Sequence, residues 1–192
     1  NGKWVGFVHR DETDAPGPVD HSLPTLRVTG LDGKLFGVVA NYACHCTTTS
    51  GSFNEIHGDW AGFAQEAIQA GHPGTVAMIT IGCGADADPC PHGTTDLCEQ
   101  HGRELADECQ RLLRAPWRPI PGPVTAKLTT FEIQGRPYRI STWTFGDDLA
   151  MVFMTDELVA DYVLRLKKEF DAERLWVSAY TNDVSTYVVS PR

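Results

Sequence analysis

The sequence predicts an α/β or α+β fold, a mixed sheet with flanking helices, on three observations. Short β-branched runs alternate with longer amphipathic ones. Turn signals rich in Gly, Pro and Asp separate them. The 192 residues, 42% hydrophobic and 21% charged, have the composition of an ordinary globular domain. A chain of this length buries roughly 70% of its unfolded surface, so it needs no metal or disulfide merely to fold. One domain over residues 1–192 is expected.

The elements follow in order. Residues 11–24, an acidic stretch with three prolines, read as a loop. Residues 25–28 and 34–43 form a hairpin around Leu31-Asp32-Gly33, where Asp-Gly is a turn signal. Asp59 is placed to cap a helix that runs to about Ala70 and stops at Gly71 and Pro73. Residues 75–81 are a β-branched strand. Asp96 with Glu99 resembles a capping box for a helix to about Arg114, with a stripe of Leu97, His101, Leu105, Cys109 and Leu112. Residues 124–133 and 138–144 pair around Gly135. Residues 149–154 are a strand, a helix starts near Asp156 with Leu158, Val159, Tyr162, Val163, Leu166 and Phe170 inward, and residues 175–180 close the pattern. The order reads β-β-β-α-β-α-β-β-β-α-β, which fits a mixed sheet.

Charge and composition exclude several functions. With 16 basic and 25 acidic residues, a formal charge of −9 and a pI near 5.1, the chain lacks the basic face a nucleic-acid partner needs. Arg165, Lys167 and Lys168 read as the solvated side of a helix. No run approaches the ~18 apolar residues of a membrane span. The chain opens on Asn1 with no signal-like segment, so it is expected to be a piece of a longer protein, trimmed or processed at both ends. Its six cysteines include no CxxC pair, which leaves a zinc ribbon unsupported.

Chemistry-bearing residues gather directly after strands. Four segments share this arrangement: Asn41 to Thr47, Gly82 to Pro89, Met154 to Glu157, and Thr181 to Tyr187. Open α/β sheets bind ligands beyond the carboxyl ends of their strands, so parallel strands would bring these segments to one crevice. His45 at a strand end suits a metal ligand, or a buried histidine bonded to backbone. Glu157 suits a carboxylate ligand, or a first-turn acid favoured by the helix dipole. Asp59 fits a helix cap better than a catalytic acid. Asp86 and Asp88 sit in a Gly-rich turn, where acids commonly bond their own backbone. Tyr187 alone reads as a strand aromatic. Cys44 and Cys46 flank His45 within a strand, so both should lie on the opposite face as small buried hydrophobes. Cys90 and Cys98 bracket a loop and could bridge in an exported protein.

The same segments resemble the neutral/alkaline ceramidases, including their shorter bacterial relatives. The likeness runs from Gly17-Pro18-Val19-Asp20 through Asp32-Gly33-Lys34, Asn41-Tyr42-Ala43-Cys44-His45 and Gly58-Asp59-Trp60-Ala61-Gly62-Phe63 to the turn at Gly82 to Pro89, and on to Asp156-Glu157 and Asn182 to Val188. The resemblance implies a zinc site in which His45 is the second histidine, Glu157 the carboxylate and Tyr187 the tyrosine. The family usually has Gly before that glutamate, where this chain has Asp156. Val184 stands where the family pattern has an earlier tyrosine. The first zinc histidine of the family would lie upstream of Asn1, supplied by a longer chain or a second polypeptide. An exported location, secreted or periplasmic, is a further implication.

Asp88 occupies the position of a family serine, in Ala85-Asp86-Ala87-Asp88-Pro89, so an alcohol nucleophile there is excluded. The resemblance then implies a zinc hydrolase that cleaves a linear amide, such as an N-acyl sphingoid base, through metal-bound water. Asp86 or Asp88 would serve as general base. An esterase on the same scaffold, and a non-catalytic relative that binds lipid or a partner protein, are the alternatives.

Overall fold

A computed structural model describes residues 17–191. Strand β1 (Thr25–Thr29) and strand β2 (Leu35–Tyr42) form the antiparallel hairpin expected at Asp32-Gly33. Gly33 takes the left-handed conformation (φ 79°), and Asp32 Oδ1 accepts the Lys34 N–H at 3.1 Å. Two strands, not three, precede the first helix among the described residues.

Helix α1 (Asp59–Gly71) carries the chain across to β3 (Val76–Ile81), which lies parallel to β2, and α2 (Thr95–Arg114) follows. Both helices bury against this three-stranded sheet: Val38, Ala40 and Ala77 meet Trp60, Ala64, Ile68, Leu105, Ala106 and Cys109. The helices touch at Gly102, where a Cβ would stand 2.5 Å from the Phe63 Cβ and 2.7 Å from the Trp60 carbonyl oxygen. Only a glycine allows that approach. The cap of α2 is Thr94, whose side chain accepts from Leu97 N, and not Asp96. Its buried stripe is Cys98, Gly102, Leu105, Ala106 and Cys109, while His101 bonds the Pro91 carbonyl.

The second half is a four-stranded sheet in the order β4 (Val124–Ile133), β5 (Arg136–Phe145), β6 (Leu149–Met154), β8 (Leu175–Ser178). The first three are antiparallel, and β8 runs parallel to β6. Between β6 and β8 come β7 (Glu157–Leu158) and α3 (Ala160–Glu169), and β7 pairs in parallel with β9 (Tyr187–Val188). Leu158 and Val163 join Met154, Leu175, Val177, Ala179 and Cys83 in a second core. The fold is therefore α+β, with mixed sheets and flanking helices, as the sequence predicts. Helix α3 starts at Ala160 and not near Asp156, because Asp156 is left-handed (φ 70°) and Glu157–Leu158 is committed to the pairing with β9. Strand β8 stops at Ser178, two residues before another left-handed residue, Tyr180 (φ 58°).

Polar side chains help to join the halves. The buried Asn41 amide donates to the Val177 carbonyl at 2.9 Å, and its oxygen accepts from Thr80 and Ser178. Lys167 is not solvated: its ammonium bonds both carboxylate oxygens of Asp20 at 2.8 and 2.9 Å, and the pair is largely buried. Arg165 and Lys168 do face solvent. No helix of the described residues is long and apolar enough to cross a membrane.

Candidate active site

The parallel pairs β2–β3 and β6–β8 send four strand ends to one place, and backbone hydrogen bonds stitch the loops beyond them. His45 N–H donates to the Ala87 carbonyl, Ala85 N–H to Leu158, Asp156 N–H to Asp183, and Glu157 N–H to Thr186. The close passage of Gly84 against the Ala43–Cys44 peptide, where a Cβ would meet backbone at 2.7 Å, helps to hold the first two loops together. The four segments therefore share one crevice.

His45 lies in the loop after β2, not within the strand, which ends at Tyr42. Helix α1 fixes it. The Trp60 indole N–H donates to the His45 carbonyl at 2.8 Å, and Trp60 is itself buried. Asp59 anchors the next turn: its Oδ2 accepts the backbone N–H groups of Thr48 at 2.9 Å and Thr49 at 3.3 Å, and the Cys98 thiol at 3.6 Å. Its Oδ1 accepts the Trp60 N–H at 2.8 Å. Asp59 is thus the first residue of the helix, with φ 51°, and not its N-cap; Gly58 holds that position without a side-chain cap. Burial alone would push the Asp59 carboxyl up; hydrogen bonds from Thr48, Thr49 and Trp60 outweigh it and hold the acid below the ordinary range.

Glu157 comes from the opposite bank. Its carboxylate stands 3.8 Å from His45 Nε2, with both side chains about one-fifth exposed. Tyr187 is paired with Glu157 in the backbone register of β7 and β9, which sets its phenol within electrostatic reach of the same carboxylate. The charge of Glu157 is the chief reason the Tyr187 phenol is pushed up. The loop bearing Tyr187 is held by Asp156, whose buried Oδ1 accepts from Ser185 N–H at 2.8 Å, Ser185 Oγ at 3.0 Å and Thr186 N–H at 3.3 Å. The departure from a family glycine is explained here. The backbone keeps the left-handed conformation that favours Gly, which Asp tolerates, and the added carboxylate ties down the neighbouring loop.

The structure adds a residue that the sequence reading assigned only to a strand. The Tyr180 hydroxyl donates to Glu157 at 3.2 Å and lies 3.4 Å from His45 Nε2. Burial, and then the charge of Glu157, push its phenol well above the usual tyrosine range. Its one sequence signal is an aromatic residue directly before the Thr181-Asn182-Asp183 turn. Asp88 is exposed, accepts from Thr47 Oγ1 at 2.8 Å, and lies close enough to Tyr187 for its charge to raise that phenol. Asp86 accepts the Ala160 N–H at 2.8 Å and so holds the start of α3.

Among the described residues no group of three or more His, Cys, Asp or Glu side chains is placed to hold a metal. The groups that meet are one imidazole, one carboxylate and the Tyr180 phenol, with Tyr187 in backbone register beside Glu157, and their nitrogen and oxygen atoms are of the kinds that suit zinc. Burial pushes Cys44 and Cys83 up to about 12, so both stay protonated at neutral pH. Cys46 is exposed, not buried as expected, because the loop has left the strand alternation. Cys90 and Cys98 are free thiols, with Cys98 turned to Asp59 instead of Cys90.

No family model matches the chain, and no curated protein matches it. Solved structures do match. Neutral ceramidase from Pseudomonas aeruginosa superposes with a TM-score of 0.73 at 12% identity, over 90% of this chain and 41% of that one. The fold is that of a neutral ceramidase. A ceramidase complexed with C2 matches with a TM-score of 0.70 at 10% identity, over 88% of this chain and 42% of the other. The chain thus spans about two fifths of the length of these ceramidases, and at such identity the likeness is one of fold.

Proposed function

We propose that this protein is a ceramidase-like zinc hydrolase that cleaves a linear amide, such as an N-acyl sphingoid base. The observation that carries this reading is the convergence of His45 and Glu157, 3.8 Å apart, at the shared strand-end crevice of a ceramidase fold. His45, Glu157 and Tyr187 would hold the ion. Zinc in such a site activates a water molecule and polarises a substrate carbonyl.

The chain's own residues account for the rest. Asp88, exposed and held by the Thr47 hydroxyl, would take a proton from the attacking water and return it to the leaving amine. Asp86 is engaged at α3 and positions the loop that carries Asp88. Tyr187, about half exposed, lies at the rim, so its side of the ion would be open to a substrate. The intact protein would act as part of a longer catalytic chain, since the matching ceramidases are more than twice its length.

The test is turnover of N-acyl sphingosines, simpler N-acyl amines and esters by the intact protein, with and without a chelator. Hydrolysis should stop on chelation and return with zinc. Asp88→Asn should lower kcat by ~10²–10⁴-fold, the usual contribution of a general base. Chelator-insensitive turnover, or a trapped acyl-enzyme, would overturn the reading.

A further inference from the structure

Helix α1 begins without a cap of the usual kind. Gly58 has no side chain to offer, and a Cβ there would stand 2.9 Å from the Gly62 Cα. The Asp59 carboxylate is occupied by Thr48, Thr49, Trp60 and Cys98. A further donor of the first turn, the Asp59 N–H, is taken by His57, whose Nδ1 accepts it at 2.9 Å. The bond spans two residues, the reach of an Asx turn. A backbone amide can only donate, so Nδ1 carries no proton and the imidazole is neutral, with its hydrogen on Nε2.

Two rings set the imidazole. Phe53, from the loop before it, meets it with centroids 5.5 Å apart and planes at 80°; Phe63, one turn into α1, meets it at 5.4 Å and 57°. The acids on these two elements are Glu55 in the loop, and Asp59 and Glu66 in α1. The bond has a consequence beyond the helix start. Asp59 is left-handed, at φ 51°, a conformation that a non-glycine residue keeps only where its surroundings hold it. From there its carboxylate reaches the turn after His45, and the next residue, Trp60, reaches the His45 carbonyl.

We infer that His57 is a positioning residue for the His45 bank: its neutral Nδ1 pins the left-handed Asp59, and the bank loosens when the imidazole takes a second proton. Protonation sets an N–H against the Asp59 N–H and a positive charge at the positive end of α1. The ring is exposed, so a proton reaches it from solvent. Histidine changes charge between pH 5 and 8. Asp59, held below the ordinary carboxyl range, stays charged throughout that window. The bond is therefore present at the upper end and disappears as the pH falls.

The test is amide protection at Thr48, Thr49 and Asp59 in the intact chain at pH 8 and pH 5.5, with each rate corrected for intrinsic exchange. Protection should fall about three- to tenfold at the lower pH, the worth of one ordinary hydrogen bond. His57→Asn keeps an acceptor oxygen at the same two-residue reach and does not titrate, so its protection should be the same at both values. His57→Leu has no acceptor and should be poorly protected at both. Imidazole nitrogen-15 shifts should show an unprotonated Nδ1 at pH 8. Circular dichroism checks folding; if His57→Leu does not fold, the parent and His57→Asn decide the matter alone. Equal protection of the parent at both pH values would overturn the inference, as would an undiminished pH dependence in His57→Asn. The measurements use neither metal nor substrate, so they stand or fall independently of the zinc reading.

Discussion

His45 and Glu157 face each other across 3.8 Å, yet they reach that position by different means. The His45 bank is held by side chains: the Trp60 indole on its carbonyl, and the Asp59 carboxylate on the turn that follows. Both come from α1, which is bolted to the first sheet through Ala64 and Ile68. The Glu157 bank is held mainly by backbone, reinforced by the Asp156 carboxylate. Glu157 and Tyr187 lie in register in a two-stranded parallel ladder, and left-handed turns at Asp156, Tyr180 and Asn182 bring the chain back on itself. Single substitutions should therefore damage the first bank directly, whereas the second should yield mainly where a turn loses its conformation.

The largest effect is expected at Trp60. Trp60→Ala removes a buried ring from the first core and should cost about 3–5 kcal/mol in urea denaturation. Trp60→Phe keeps most of the volume but leaves the His45 carbonyl unpaired, so its cost should be about 1–3 kcal/mol. A Trp60→Phe protein as stable as the parent would break the comparison.

Asp59→Asn comes next, at about 1–3 kcal/mol near neutral pH, because the charge gathers four donors. Its pH dependence sharpens the point. The folded carboxyl titrates below the unfolded one, so its stabilisation is present above the unfolded value, near 4, and disappears as pH falls through the lower folded value. The gap in Tm between parent and variant should narrow as the pH is taken below about 4.

The smallest effect is expected on the backbone-held bank. Asp156→Gly keeps the left-handed turn and forfeits the bonds to Ser185 and Thr186, for about 1 kcal/mol. Asp156→Ala should be worse by about 1 kcal/mol, since Ala does not tolerate φ 70°. Faster amide exchange at Ser185 and Thr186 in both variants would locate the loss. Equal stability of the two would mean that the turn, unlike the carboxylate, does not matter.

Much of this was legible in the sequence. The strands over residues 35–42, 76–81 and 124–133 announce themselves by β-branched content and that over 149–154 by its apolar run, and the strand ends collect the polar residues that converge. That setting together with the family likeness points to His45, Glu157 and Tyr187; the structure sets His45 and Glu157 3.8 Å apart and pairs Tyr187 with Glu157 in backbone register. Tyr180 escaped because an aromatic after Val177-Ser178-Ala179 reads as one more strand residue; only its positive φ moves the ring into the site. Lys167 escaped because its partner, Asp20, is 147 residues away, and helix periodicity is blind to such distances. Asp59 was recognised as an anchor of α1, but its reach to Thr48 and Thr49 depends on a loop course that no local pattern encodes.

Asn41 gives the crevice a mechanical character. One carboxamide is bound from β2 to β8 on its nitrogen, and to Thr80 and Ser178 on its oxygen, directly beneath the loops that carry the site. Two sheets joined in this way cannot swing apart like the jaws of a hinge without leaving several buried polar atoms unpaired together. Anything that enters between the loops must then be accommodated at the rim, where Tyr187 and Asp88 are exposed, while the floor keeps its shape.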